Sequence, residues 1–158
     1  MQDTGQALYR RGMYTFIKRT VPPPSMMMFD GSNRDECQVT RYRTNTPLQA
    51  LIMLNDPTVL EASKALADKL LQQQPEANKL IEKAFRSILC RQASSKEIET
   101  LVSFYDETKK ELAKDQKKAA TLIEPGTYKP RTKQIVDLAA AMQTIQVIYN
   151  MQEAITKT

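Results

Sequence analysis

The sequence predicts an all-α protein: a single helical domain of about five helices, with an irregular Pro-rich segment at its N-terminal end. Three observations carry that prediction. Only four of the 158 residues are glycine, and long stretches are rich in Ala, Leu, Lys, Glu and Gln, which are good helix formers. Apolar residues recur at spacings of three and four from Leu48 onward. Helix starts are also marked in the chain by Thr46-Pro47, Asp56-Pro57 and "SSKE". Residues 1–46 are expected to be extended or irregular, and residues 47–158 to form the bundle.

Ala7 to Thr20, "ALYRRGMYTFIKRT", favours helix over strand, with Gly12 interrupting it. Pro22, Pro23 and Pro24 fix φ and lack amide donors, so an extended polyproline II connector is predicted. The methionines of "SMMMFD" suit adaptable packing better than a copper site. Apolar surface is expected near Met26 to Phe29. Asp30 to Thr46 is read as a polar loop. It misses the EF-hand pattern, because the closing acidic position falls on Arg41.

Thr46 and Asp56 are read as N-caps, each with a proline at the first helical position, where an amide donor would lack a partner anyway. The first helix carries Leu48, Leu51 and Ile52 and ends at Asn55. The second shows a stripe of Val59, Leu60, Ser63, Leu66, Ala67, Leu70 and Leu71. A third is expected to start at Pro75, with Leu80, Ile81, Ala84, Phe85, Ile88 and Leu89 on one face. Ser94 and Glu97 have the spacing of a capping box. The fourth helix, which they open, is expected to bury Ile98, Leu101, Val102, Tyr105 and Leu112 and then to run out into solvent. "EPGTYKPRT", Glu124 to Thr132, is a break. The last helix is predicted over Lys133 to Thr156, with Ile135, Leu138, Met142, Ile145 and Tyr149 as a seam against the pair that the two Thr/Asp-Pro caps begin.

Composition narrows the function. Hydrophobic residues make up 41% and charged residues 26%, as in a soluble globular protein. No apolar run approaches the roughly 20 residues of a membrane span. No signal peptide is visible at the start of the chain. The net charge is +5, but the basic residues of "KKELAKDQKK" are interleaved with acidic ones and carry no aromatics. That pattern fits a solvated helix face better than a nucleic-acid groove. The chain contains no histidine, which excludes a Ser-His-Asp triad, every His metal site and the C-x-x-C-H haem motif. Cys37 and Cys90 form no metal-ligand pattern; two separate thiols are the favoured reading, with a disulfide in an oxidising compartment as the alternative. No metal site and no cofactor are expected.

The ligand-binding candidates are Asp30, Arg34, Asp35, Arg41 and Arg43. The arginines could grip an anionic group such as sulfate. The carboxylates of Asp30, Asp35 and Glu36 could serve a glycosidase if their separation were suitable. The alternative is that these charges pair across an exposed loop, worth about 0–1 kcal/mol per pair.

"YTFIKRTVPPPSMMMFD" followed by "RTNTPLQALIMLNDP" resembles a known family, the planctomycete-type domain of unknown function DUF1553. The resemblance is carried by Tyr14-Thr15-Phe16, Lys18-Arg19-Thr20, Val21 to Pro24, Phe29-Asp30 and Arg43 to Pro57. "ILCRQASSKEIETLVSFYDE" and the C-terminal "VIYNMQEAITKT" are similar too. The chain departs from the family at Cys90, where a glycine is expected, and over Lys109 to Thr132, which looks expanded. The resemblance implies the C-terminal portion of a domain that extends further upstream. It also implies an exported parent protein with planctomycete-type cytochrome c domains, linked to sulfatase or polysaccharide-degradation functions. It implies no assigned reaction. The expected role is a non-catalytic helical module that supports or docks other domains of its parent. The alternatives are part of an enzyme or binding site for sulfated polysaccharide and, more weakly, nucleic-acid binding.

Overall fold

The structure is a computed structural model that describes residues 9, 12–14, 16–18, 20–31, 37, 39–40, 44–73 and 76–156. Among these residues there are eight α-helices and no strand. The helices are α1 Pro24–Met28, α2 Pro47–Asn55, α3 Pro57–Gln73, α4 Ala77–Leu89, α5 Ser95–Lys114, α6 Gln116–Ile123, α7 Ile135–Tyr149 and α8 Gln152–Ile155. The predicted all-α class therefore holds, with more helices than the five expected. The chain divides into two compact units, Met1–Ala50 and Leu51–Thr158.

In the first unit the described residues correct two expectations. In the segment expected to be helical between Ala7 and Thr20, they show 3₁₀ conformation at Tyr9 and at Gly12–Tyr14, and Lys18 forms an isolated bridge with Val21. Gly12 and the mixture of aromatic and basic residues supply no helical period there. The three prolines do not continue as polyproline II, because Pro24 opens α1 at its first position. A proline there gives up only a donor with no intrahelical partner. α1 ends at a left-handed residue, Asp30 (φ 55°), and Gly31 N–H donates back to Met26 C=O at 2.7 Å. This is the long bond of a Schellman stop. A Cβ on Gly31 would lie 2.5 Å from that same carbonyl oxygen, so the turn requires glycine. As expected, Met27 and Met28 stay exposed, whereas Met26 and Phe29 are half-buried.

The second unit is built around α7. Leu138, Ala139, Ala140, Ala141, Met142, Thr144, Ile145 and Ile148 are all buried. They cover most of the helix circumference, more than the one-sided seam predicted, and leave Val147 exposed. α3, α4, α5, α6 and α8 all pack on it. Full burial of a Leu or Ile contributes about 1.5–3 kcal/mol, so the helix centre is the main source of stability in this unit. The three consecutive alanines let neighbouring helices approach closely. α3 supplies Ala67 and Leu70, α4 supplies Leu80, Ile81, Ala84 and Phe85, and α5 supplies Leu101, Tyr105 and Leu112.

The chain does not project into solvent after Leu112. Asp115 stops α5 and caps α6, its Oδ1 accepting from Lys117 N–H and Lys118 N–H at 3.1 Å each. α6 then buries Ala119 against α7, with Leu122 and Ile123 beside it. The last helix breaks at Asn150, and α8 follows as a separate turn. The third predicted helix is α4, Ala77–Leu89; its expected start, Pro75, lies outside the described residues.

Arg91 ties three elements together. Its guanidinium donates to Glu97 (2.7 and 3.1 Å) and to Glu153 (2.7 and 3.0 Å), and sits 4.7 Å from the centre of the Phe85 ring. Glu97 also completes the predicted capping box: Ser94 N–H donates to it at 2.7 Å, and Glu97 N–H donates to Ser94 Oγ. Arg91, then the Ser94 amide and hydroxyl, hold the Glu97 carboxyl down at about 2. The same hydrogen bonds, to Glu97 and then Glu153, push Arg91 above its ordinary value. Just before Arg91, Cys90 ends α4 in the left-handed conformation, at φ 58° and ψ 18°. This is the position where glycine was expected. Cys37 and Cys90 are both exposed free thiols.

Two expectations follow. Cys90→Gly relieves left-handed strain of about 1–2 kcal/mol at some cost in chain entropy. It should raise the urea midpoint by an amount equivalent to about 0.5–1 kcal/mol with an unchanged slope; a lower midpoint would disprove the strain. Glu97 titrates lower in the folded chain than its ordinary value of 4.5. Its stabilisation is therefore complete above about pH 4.5 and is lost as pH falls toward 2. Thermal melts across that window should show a shallower acid limb for Glu97→Gln than for the parent chain; superimposable limbs would rule out this pair as the cause.

Candidate functional site

Asp30 is the one named candidate among the described residues, and its carboxylate is engaged. Thr44 N–H donates to Oδ2 at 2.9 Å, and the Thr44 hydroxyl lies 2.8 and 3.0 Å from the two oxygens. Thr44 in turn accepts from Gln49 Nε2 at 2.9 Å, and that amide also donates to Met28 C=O at 2.7 Å. Gln49 is 1% exposed. Its Oε1 accepts from Thr46 N–H at 3.0 Å, while Gln49 N–H donates to Thr46 Oγ1 at 3.3 Å. Thr46 is therefore the predicted N-cap of α2, and Gln49 completes a reciprocal capping box with it.

The result is a polar clasp of Asp30, Thr44, Thr46 and Gln49. It joins the end of α1 to the start of α2 and closes the base of the polar loop. Arg34, Asp35, Glu36, Arg41 and Arg43, the other residues named from the sequence, lie outside the described residues. Asp30 thus serves as a turn and loop anchor. Sequence reasoning missed Gln49 and Thr44. The T-x-x-Q spacing was the available signal for Gln49; nothing local announces Thr44, whose partner is fourteen residues away.

Asp56 also does what was predicted, its Oδ1 accepting from Thr58 N–H at 2.8 Å and from Val59 N–H at 3.3 Å. Further along α3, three charged residues spaced by three and four are buried: Glu61 (8% exposed), Lys64 (1%) and Asp68 (0%). They receive the predicted break, Glu124 to Thr132, which the structure extends to residue 134 because α7 starts at Ile135 and not at Lys133. Lys64 Nζ donates to Ile123 C=O (3.1 Å) and Pro125 C=O (2.6 Å). Glu61 Oε1 accepts from Tyr128 N–H (2.6 Å) and the Thr127 hydroxyl (3.1 Å). Asp68 accepts from the Tyr128 hydroxyl (2.7 Å), Thr132 N–H (2.9 Å) and Arg131 N–H (3.0 Å).

Between these anchors Gly126 adopts φ 86°, and a Cβ there would meet Glu61 at 2.7 Å. Burial raises the Asp68 carboxyl, but the donors from Arg131, Tyr128, Thr132 and Gln72 outweigh it and leave it below its ordinary value. Burial pushes the Lys64 ammonium down, partly offset by Glu61. This break is therefore a strap fastened to α3.

In both constellations the polar side chains bond mainly to the protein's own backbone. Among the described residues no group of three or more His, Cys, Asp or Glu side chains could hold a metal ion, and no helix is long and apolar enough to cross a membrane. An open groove of about 620 Å³ between α4 and α5 is lined by residues including Ile98, Glu99, Val102 and Asp106.

The fold and these sites define an all-α domain whose polar clusters fasten its own backbone. The family PSD1, protein of unknown function (DUF1553), matches residues 1–105, and the chain belongs to that family. The match covers the clasp, α3 and α4 and reaches Tyr105 in α5; the strap and α7 lie beyond it. No curated protein and no solved structure matches the chain.

The clasp yields a direct expectation. Gln49→Leu keeps the volume but leaves the Thr46 N–H and Met28 C=O without their partner, at about 1–3 kcal/mol per buried group. Hydrogen exchange at the amides of Thr44 and Thr46 should accelerate at least tenfold, corresponding to about 1.4 kcal/mol. Unchanged exchange would show that the clasp contributes nothing.

Proposed function

We propose that the chain is a non-catalytic helical module of a larger, extracytoplasmic multidomain protein of the planctomycete type, one that carries cytochrome c domains, and that it supports or docks other domains of that protein. One observation carries this. Of the fourteen large apolar side chains left exposed among the described residues, nine lie in the first unit, between Tyr9 and Leu48. They include Phe16 at 86%, Met27 at 53% and Leu48 at 46%. Apolar exposure concentrated in one stretch of chain marks surface that another polypeptide covers. Asp30 supports the same role, since its carboxylate is spent on Thr44 and the turn. The alternative of an enzyme or binding site for sulfated polysaccharide rests on the arginines of the polar loop. Nucleic-acid binding has only the net charge of +5 behind it.

Methionine oxidation separates these readings. In the full-length parent protein, Met27 and Met28 should react with peroxide several-fold more slowly than in the isolated chain. Equal rates would sink the docking role. Hydrolysis of a sulfated glycan by the parent protein that disappears in Arg43→Ala would favour the enzymatic alternative instead.

A further inference from the structure

The strap between α6 and α7 has an outer face that its fastening does not explain. Exposure alternates along it: Tyr128, Pro130 and Thr132 are half-buried, whereas Lys129, Arg131 and Lys133 are exposed. The inward set is accounted for by Asp68, which takes the Tyr128 hydroxyl and the Thr132 amide. The outward set is three cations at every second residue. Among the described residues Lys129, Arg131 and Lys133 have no carboxylate partner and make no side-chain hydrogen bond, as is true of several helix cations such as Lys69 and Lys96; what sets the three apart is their alternation along one fixed loop. Like charges this close in sequence repel one another. The backbone beneath them is fixed by Glu61, Lys64 and Asp68, and an anion meeting the three cations would not have to order the chain.

We propose that Lys129, Arg131 and Lys133 form a binding site for a linear acidic polysaccharide, whose sulfate or carboxylate groups meet the cations in succession. Alternate residues of an extended chain are at most about 7 Å apart, a spacing suited to a polymer with regularly repeated charges. Arg131 offers a planar fork to one anionic group, and the lysines act as point charges on either side. Binding to a single-stranded nucleic acid requires aromatic faces for the bases. The only aromatic residue on the strap is Tyr128, which is half-buried with its hydroxyl on Asp68. The site is independent of Arg41 and Arg43 and stands or falls separately from the docking role.

The test is titration of the chain with a heparin oligosaccharide of defined length over a range of salt. Lys129→Ala/Arg131→Ala/Lys133→Ala should weaken binding at least tenfold at about 50 mM salt and lower the log–log salt slope by about two to three. Lys79→Ala/Lys83→Ala/Arg86→Ala removes the same charge from the surface patch on α4 and should leave binding within about twofold. No binding at low salt, or equal losses in the two variants, would overturn the site. Tighter binding of a duplex DNA of matched charge, abolished by the strap variant, would overturn it in favour of nucleic acid.

Discussion

The second unit depends on the burial of α7. A helix with Leu138, three consecutive alanines, Met142, Thr144, Ile145 and Ile148 all out of water keeps only a narrow strip, near Val147, for solvent. It must be surrounded, and five helices do so. The long excursion from Leu112 to Ile135 follows from this demand. α6 turns back at Asp115 and packs on α7, with Ala119 buried and Leu122 and Ile123 beside it. Thr144 fits the same environment because its hydroxyl donates to Ala140 C=O at 2.9 Å, so no polar group is stranded.

α3 solves a different problem. It packs against α7 through Ala67 and Leu70, yet it also buries Glu61, Lys64 and Asp68. Isolated buried charges would cost several kcal/mol each. Here the backbone of the strap meets them, with carbonyls for the ammonium and amides for the carboxylates. A loop without regular structure has unsatisfied amides and carbonyls of its own, so each side supplies what the other lacks. That exchange makes "EPGTYKPRT" a fixed element and leaves Lys129 and Arg131, with Lys133 just after it, facing outward.

Legibility differed between the two units for a physical reason. Caps act over three or four residues, so Thr46, Asp56 and the Ser94–Glu97 box could be read directly from spacing. The left-handed turn at Cys90 was legible only as a place where glycine was expected, and its φ of 58° supplies the cause. Gln49 looked like one polar residue in an apolar run. Its burial depends on Met28 C=O and Thr44, which come from elsewhere in the chain. Asp30 carried the chemistry of a ligand site in the sequence and became an anchor once Thr44 was beside it. The strap was seen as a break because Pro and Gly report only where helix stops.

The sequence by itself determined the helical class, the starts of α2, α3 and α5, the apolar faces of α3, α4 and α5, and the family. All of these rest on local periodicity and on contacts within one helical turn. Tertiary structure decided that α7 is buried around most of its circumference instead of on one side, that α6 returns to the core, that three charges on α3 lie inside, and that Asp30 closes a loop. Those outcomes depend on partners 14 to 67 residues apart, whose meeting no local pattern encodes.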